Sequence, residues 1–300
     1  MNTITSSGLR NDQIRLAFDE AIARGDGRFF ALLSRFGGLP GPRPNVDLAL
    51  AAGDLIVARG AEADALLRQM LALDDHEADA KSAQVFLLQV AAQALAGRIL
   101  KKYDAEQSWQ RLEELAGDLR KPVRDGATVA LERLCVKLGT GVVLARFASW
   151  TDGFMQAAVM LDTLARRPSI DALTPDSVDV LRERIEEAAT LAEHARRAEE
   201  RTQGRRRLLE AIADALPPIA QRFPAILTWL EERAVTQQPE LRAAFEQTLV
   251  GLTRLNLGNE QLDPLRRALD TSLTPLRDPT NYRGPTRGRG RKAQRREQRR

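Results

Sequence analysis

From Val46 onward the chain repeats one pattern. Apolar residues fall three and four apart in runs of about 12 to 20 residues, with brief breaks at Gly53 or Gly60, Asp74-Asp75, Asp104, Lys121-Pro122, Gly139 to Gly141, and Asp152-Gly153. Runs of that length with a 3.6-residue period fold as amphipathic helices. Breaks this short turn each helix back against the one before it. Ala, Leu, Glu and Arg dominate and aromatics are only 5%, so propensity agrees with pattern and no sheet is expected. The expected fold class is all-α, and 43% hydrophobic residues are ample for a continuous core.

Upstream, residues 11 to 36 read as two short helices. Ile14, Phe18 and Ile22 lie on one stripe, and Phe29, Leu32, Leu33 and Phe36 on the next. The segment from Gly37 through Pro40, Pro42 and Pro44 then breaks all helix. Residues 1–45 are therefore expected to form an N-terminal helical cap and Gly/Pro linker, residues 46–279 a helical repeat domain, and residues 280–300 a tail.

The helices resemble one another. Lys121-Pro122-Val123-Arg124 opens one with apolar or small residues at Val123, Ala127, Ala130, Leu131 and Leu134. Leu241-Arg242, 118 residues on, opens another with Phe245, Thr248, Leu249 and Leu252 in the same register. Looser copies run from Ala80-Lys81 through Leu87, Leu88 and Ala91, and from Phe154 through Ala158, Leu161 and Ala165. The starts fall 43, 31 and 87 residues apart, and the last interval has room for two units. The period is roughly 40 residues, the length of HEAT and armadillo units. A proline or acidic residue, an apolar residue, then arginine and a small-residue-rich helix resembles the second helix of a HEAT repeat. That resemblance, over residues 46 to 272, implies a HEAT/armadillo-like α-solenoid of antiparallel helix pairs; a plain helical bundle is the alternative.

One stretch departs from the period. Asp176 to Arg201 reads as a long helix with Val178, Leu181, Ile185, Ala188, Ala192 and Ala195 on one face, and Leu208, Leu209, Ile212 and Leu216 form a return helix before Pro217-Pro218. The expectation is a protruding helical hairpin near residues 176–221. Its tip would carry Arg196, Arg197, Arg201, Arg205, Arg206 and Arg207 against Glu199 and Glu200, either as a basic contact patch or as charges paired along the helix.

Charge is divided unevenly. The net charge is +4, yet residues 283 to 300 carry nine basic residues against Glu297 alone, or +8, leaving −4 for the rest. Those nine are Arg283, Arg287, Arg289, Arg291, Lys292, Arg295, Arg296, Arg299 and Arg300. Residues 280–300 lack apolar periodicity and cannot offset the entropy of ordering, so disorder is expected there. Mobile guanidinium groups contact phosphates and stack on bases with little sequence preference and strong salt dependence. DNA or RNA is thus the expected partner of the tail, a solubilising basic end being the bland alternative.

Chemistry is harder to find. The lone cysteine, Cys135, lies among Leu131, Leu134 and Leu138 and reads as a core thiol, and one cysteine leaves no intramolecular disulfide. His194 has only Thr190 and Ala198 four residues either side, and His76 sits in a run of helix-start acids, so no metal and no cofactor are expected. No nucleophile elbow, phosphate loop or dinucleotide glycine pattern opens a helix. Met1 to Arg15 has no apolar core and the stretch Ala83 to Gly97 is interrupted by Gln84, Gln89 and Gln93, which argues against a signal peptide or membrane span and for the cytoplasm.

One enzymatic alternative rests on resemblance. Trp150-Thr151-Asp152-Gly153-Phe154 followed by Ala157-Ala158-Val159 is similar to a stretch of the HEAT-like DNA glycosylases that excise alkylated bases, although Met155-Gln156 stand where that family introduces arginines. The expectation that fits most residues is a non-enzymatic scaffold. Its repeat surface meets a protein partner while the tail contacts nucleic acid; a DNA-repair enzyme, or an adaptor with an idle tail, are the alternatives.

Overall fold

The computed structural model describes residues 6–25, 27–195 and 202–271. Among these there is no strand; the chain is helix joined by turns, and no helix is long and apolar enough to cross a membrane. The helices are α1 (Ser6–Arg24), α2 (Arg28–Phe36), α3 (Val46–Arg59), α4 (Asp64–Leu71), α5 (Phe86–Leu100), α6 (Ala105–Ala116), α7 (Lys121–Leu138) and α8 (Thr140–Arg146). They continue with α9 (Phe154–Leu164), α10 (Arg167–Asp171), α11 (Val178–Glu193), α12 (Gln203–Arg222), α13 (Pro224–Arg233), α14 (Pro239–Arg254) and α15 (Asn259–Thr271).

Local chemistry sets several boundaries. Asn45 caps α3, its side chain accepting from Leu48 N at 3.1 Å while its Nδ2 donates to Phe36 O at 3.2 Å, so one residue ends α2 and starts α3. Gly60, at φ 57°, ends α3, a backbone conformation that side chains with a Cβ rarely adopt. Prolines open α7, α13 and α14, where the missing amide costs nothing.

Packing follows an alternating order. α3 packs on α5, α5 on α7, α7 on α9, α9 on α12 and α12 on α14, and the starts of these six helices lie 40, 35, 33, 49 and 36 residues apart. The intervening helices attach to that row: α6 to α5 and α7, α8 to α7, α11 to α9 and α12, α13 to α12, and α15 to α13 and α14. A single apolar core runs through both sets from Ile14 to Leu269. Inside the row, α5 is covered on every side, with each residue from Phe86 to Ile99 buried.

The row closes at glycines. A Cβ on Gly53 of α3 would stand 2.8 Å from Ala94 N of α5, and one on Gly251 of α14 would stand 2.5 Å from the Pro217 ring of α12. These are backbone approaches that only a missing side chain permits.

Several expectations change. α3 runs through Gly53 and stops at Gly60, and residues 80–85 are turns that precede α5 rather than its first turn. α11 stops at Glu193, short of Arg201, and packs on α8, α9, α12, α13 and α14. α12 continues through Pro217-Pro218 to Arg222. Two prolines delete two helical donors, but Pro217 is buried against Gly251, and tertiary packing overrides the local break.

Candidate functional site

Charged side chains on the six-helix row pair with one another, within helices and between them. On α7, Val129 follows Asp125 by four residues and precedes Glu132 and Arg133 by three and four, which places the charged residues along one stripe. Arg133 donates through Nη2 to Asp54 of α3 at 2.8 Å and through Nη1 to Gln93 O of α5 at 3.4 Å. Arg166, between α9 and α10, pairs with Glu132. Arg207 of α12 pairs with Asp162 of α9 and lies 4.0 Å from Glu210. Lys121 and Asp125 pair at 2.7 Å, as do Arg242 and Glu246. Cation and carboxylate thus alternate across α3, α7, α9, α12 and α14.

The middle of this ladder is its most shielded part. Burial raises the Asp162 carboxyl against the pull of Arg207, and the charges of Asp125 and Asp214 push in the same direction as burial. Burial likewise depresses the Arg124 guanidinium, assisted by the like charge of Arg207. Arg124 donates to Asp118 O at 2.7 Å and Leu119 O at 2.8 Å, so it holds the α6–α7 turn.

Of the six arginines expected at a hairpin tip, the three described ones, Arg205, Arg206 and Arg207, do not share one exposed surface. Arg205 is only 2% exposed, donates through Nε to Ala192 O at 2.9 Å and lies 3.7 Å from Glu240. Arg207 faces Asp162, and Arg206 alone of the three is exposed. Arg196, Arg197 and Arg201 lie outside the described residues, as does the whole basic tail from Arg283 to Arg300, so the expected tail disorder and its contacts have no structural counterpart here.

Of the two aromatics behind the glycosylase resemblance, Trp150 is turned inward and Phe154 lines a cleft with Thr151, Glu187 and His194. Trp150 is 1% exposed with its ring centroid 4.9 Å from that of Phe147, and Phe154 is half-buried beside Gly204 of α12. Cys135 is buried, and burial pushes its thiol up to about 11. Among the described residues no group of three or more His, Cys, Asp or Glu converges as a metal site.

Two structural clusters were not anticipated from the sequence. Arg120 donates through Nη1 to Leu73 O, Asp74 O and Ala78 O at 3.1, 2.9 and 3.0 Å, and pairs with Asp118. It thereby fastens the connection between α4 and α5 to the start of α7. Glu186 of α11 accepts from Trp229 Nε1 at 2.8 Å and Arg233 Nε at 3.2 Å, and Glu193, two turns further along the same face, takes Arg233 and Thr236, so α11 and α13 are joined by polar contacts. The signal in the sequence was faint: Glu186, Thr190 and Glu193 share a face, as do Trp229 and Arg233. No family model and no curated protein matches the chain.

Proposed function

We propose that this chain is a non-enzymatic HEAT-like scaffold: an α-solenoid whose helical surface binds a protein partner and whose Arg-rich tail makes salt-dependent contact with nucleic acid. The observation that carries the reading is the row α3, α5, α7, α9, α12 and α14, each helix packed on the next at intervals of 33 to 49 residues. Stacked units of that kind present long faces because each contacts only its neighbours.

Charge divides the labour. Along the row Arg133, Arg166, Arg207 and Arg242 are engaged with Asp54, Glu132, Asp162 and Glu246, which leaves the nine basic residues of positions 283–300 as the concentrated cationic element of the sequence. Burial of Trp150 favours this reading over the repair enzyme, whose chemistry calls for an aromatic open to a flipped base.

The test compares the full chain with a deletion of residues 283–300 in a salt titration of oligonucleotide binding. The full chain is expected to lose affinity steeply with salt, at roughly 0.7 to 0.9 log units per log unit of salt for each phosphate neutralised. The deletion is expected to abolish most of that slope. An unchanged slope would move binding to the helical body, with Arg206 as the first residue to test, and would overturn the assignment to the tail.

A further inference from the structure

We propose that the cleft enclosed by α4, α5 and α6 is a binding site for a phosphate-type oxyanion. The cleft has a volume of about 130 Å³ and is lined by Arg68, Arg98, Arg111, Gln107 and Ser108, together with two carboxylates, Asp64 and Asp104. That is several times the ~15 Å³ one water requires, which is room for a small multi-oxygen ligand.

Three cations line this space against two carboxylates. Arg98 is 6% exposed, and its buried Nε has no hydrogen-bond partner. Its Nη2 pairs with Asp64, and that carboxylate also accepts from the Tyr103 hydroxyl at 3.4 Å, so one shared carboxylate serves the buried guanidinium. Arg68 spends its Nε on a backbone oxygen, Asp64 O at 3.3 Å. Arg111 meets Glu114 at 2.6 Å, but both are about half exposed, so water screens that pair.

The start of α6 supplies neutral donors to the same place. A helix of 12 residues begins here, with first-turn amides that need an acceptor. Asp104 occupies the cap position at φ 46°, in the left-handed region, and makes no capping hydrogen bond. Glu106, the acid of that first turn, is held by Arg146 at 2.8 Å. Gln107 and Ser108 in that turn line the cleft. An anion placed there would meet the positive end of the α6 dipole and two or three guanidinium groups, the combination that recognises phosphate.

Calorimetry on the full chain tests this with two probes, inorganic phosphate and glycerol phosphate, each at constant ionic strength against chloride. Binding of phosphate alone marks a site closed around the free ion, and binding of both marks one open on the ester side; either supports the proposal. Arg68→Ala and Arg111→Ala change exposed side chains and leave the apolar core untouched, and each is expected to weaken binding about tenfold, the loss of one charge-assisted contact. No saturable heat with either probe would overturn the proposal. So would binding that survives both substitutions unchanged, because that binding belongs to the basic tail.

Discussion

Arg133 on α7 reaches Asp54 on α3 at 2.8 Å, passing over α5 and touching Gln93 O on the way. Three helices of the row are therefore tied by one side chain, and two of them do not follow each other in the packing order. Because Arg133 is 20% and Asp54 52% exposed, the pair itself is worth little, and its coupling in a double-mutant cycle is expected to stay below about 1 kcal/mol. Urea denaturation of Arg133→Ala, Asp54→Ala and the double variant checks this; a coupling of several kcal/mol would mean that the charges are far less hydrated than their exposure indicates.

Gly53 gives a sharper expectation. An alanine in a helix is favoured over glycine by about 1 kcal/mol, yet here its methyl would meet Ala94 N and Gln93 Cβ at 2.8 Å. The clash is with backbone, which cannot swing away, so Gly53→Ala is expected to destabilise by about 1 to 3 kcal/mol. Gly27→Ala, with nothing within 4 Å, is the control and should be neutral.

Arg120→Ala removes donors from three carbonyls and a partner from Asp118. The expected cost is about 3 kcal/mol. Hydrogen exchange localises it: amides between Leu73 and Ser82 should lose protection first, before those of α12 or α14.

Acid should act through Glu193. Its hydrogen bond from Arg233, with help from Thr236, holds the carboxyl below the ordinary value of 4.5. Below that value the unfolded chain takes up a proton that the folded state refuses, so stability present above pH 4.5 is lost as pH falls toward the depressed value. Glu193→Gln should be less stable than the parent at neutral pH by about 1 to 2 kcal/mol, with a flatter acid limb in thermal melts between pH 5 and pH 3.

With its thiol pushed up to about 11 by burial, Cys135 exposes roughly one thiolate in a thousand at pH 8. Ellman's reagent should leave it unmodified in the native protein and titrate it stoichiometrically in denaturant. Rapid native labelling would contradict its burial.

The helix inventory was legible because its signals are local. Spacings of three and four gave the faces, and prolines and glycines marked where α7 begins and α3 ends. Apart from helix ends, such as the turns at residues 80–85 and the stop of α11 at Glu193, the failures involve partners distant in sequence. Pro217-Pro218 reads as a stop, yet Gly251, more than thirty residues later, makes the pair a packing surface. Arg205 reads as part of a basic tip, yet it accompanies Leu208 and Ile212 on the apolar stripe of α12 and finds Ala192 O thirteen residues earlier. That spacing was the available clue, since a cation in register with buried leucines is a candidate for burial. Arg120 left no such trace, because its acceptors are backbone oxygens of a turn that no side-chain pattern marks.

The covered helix α5 has a consequence for how the chain is made. Its last residue, Leu100, leaves the ribosome 38 residues before Leu138 completes α7, one of the helices that wall it in. At ~5 to 20 residues per second an apolar cylinder therefore waits roughly 2 to 8 seconds with one flank open to water. During that interval the nascent chain offers its stickiest surface, and slow codons placed between residues 101 and 138 would prolong the exposure without altering a single atom of the finished protein.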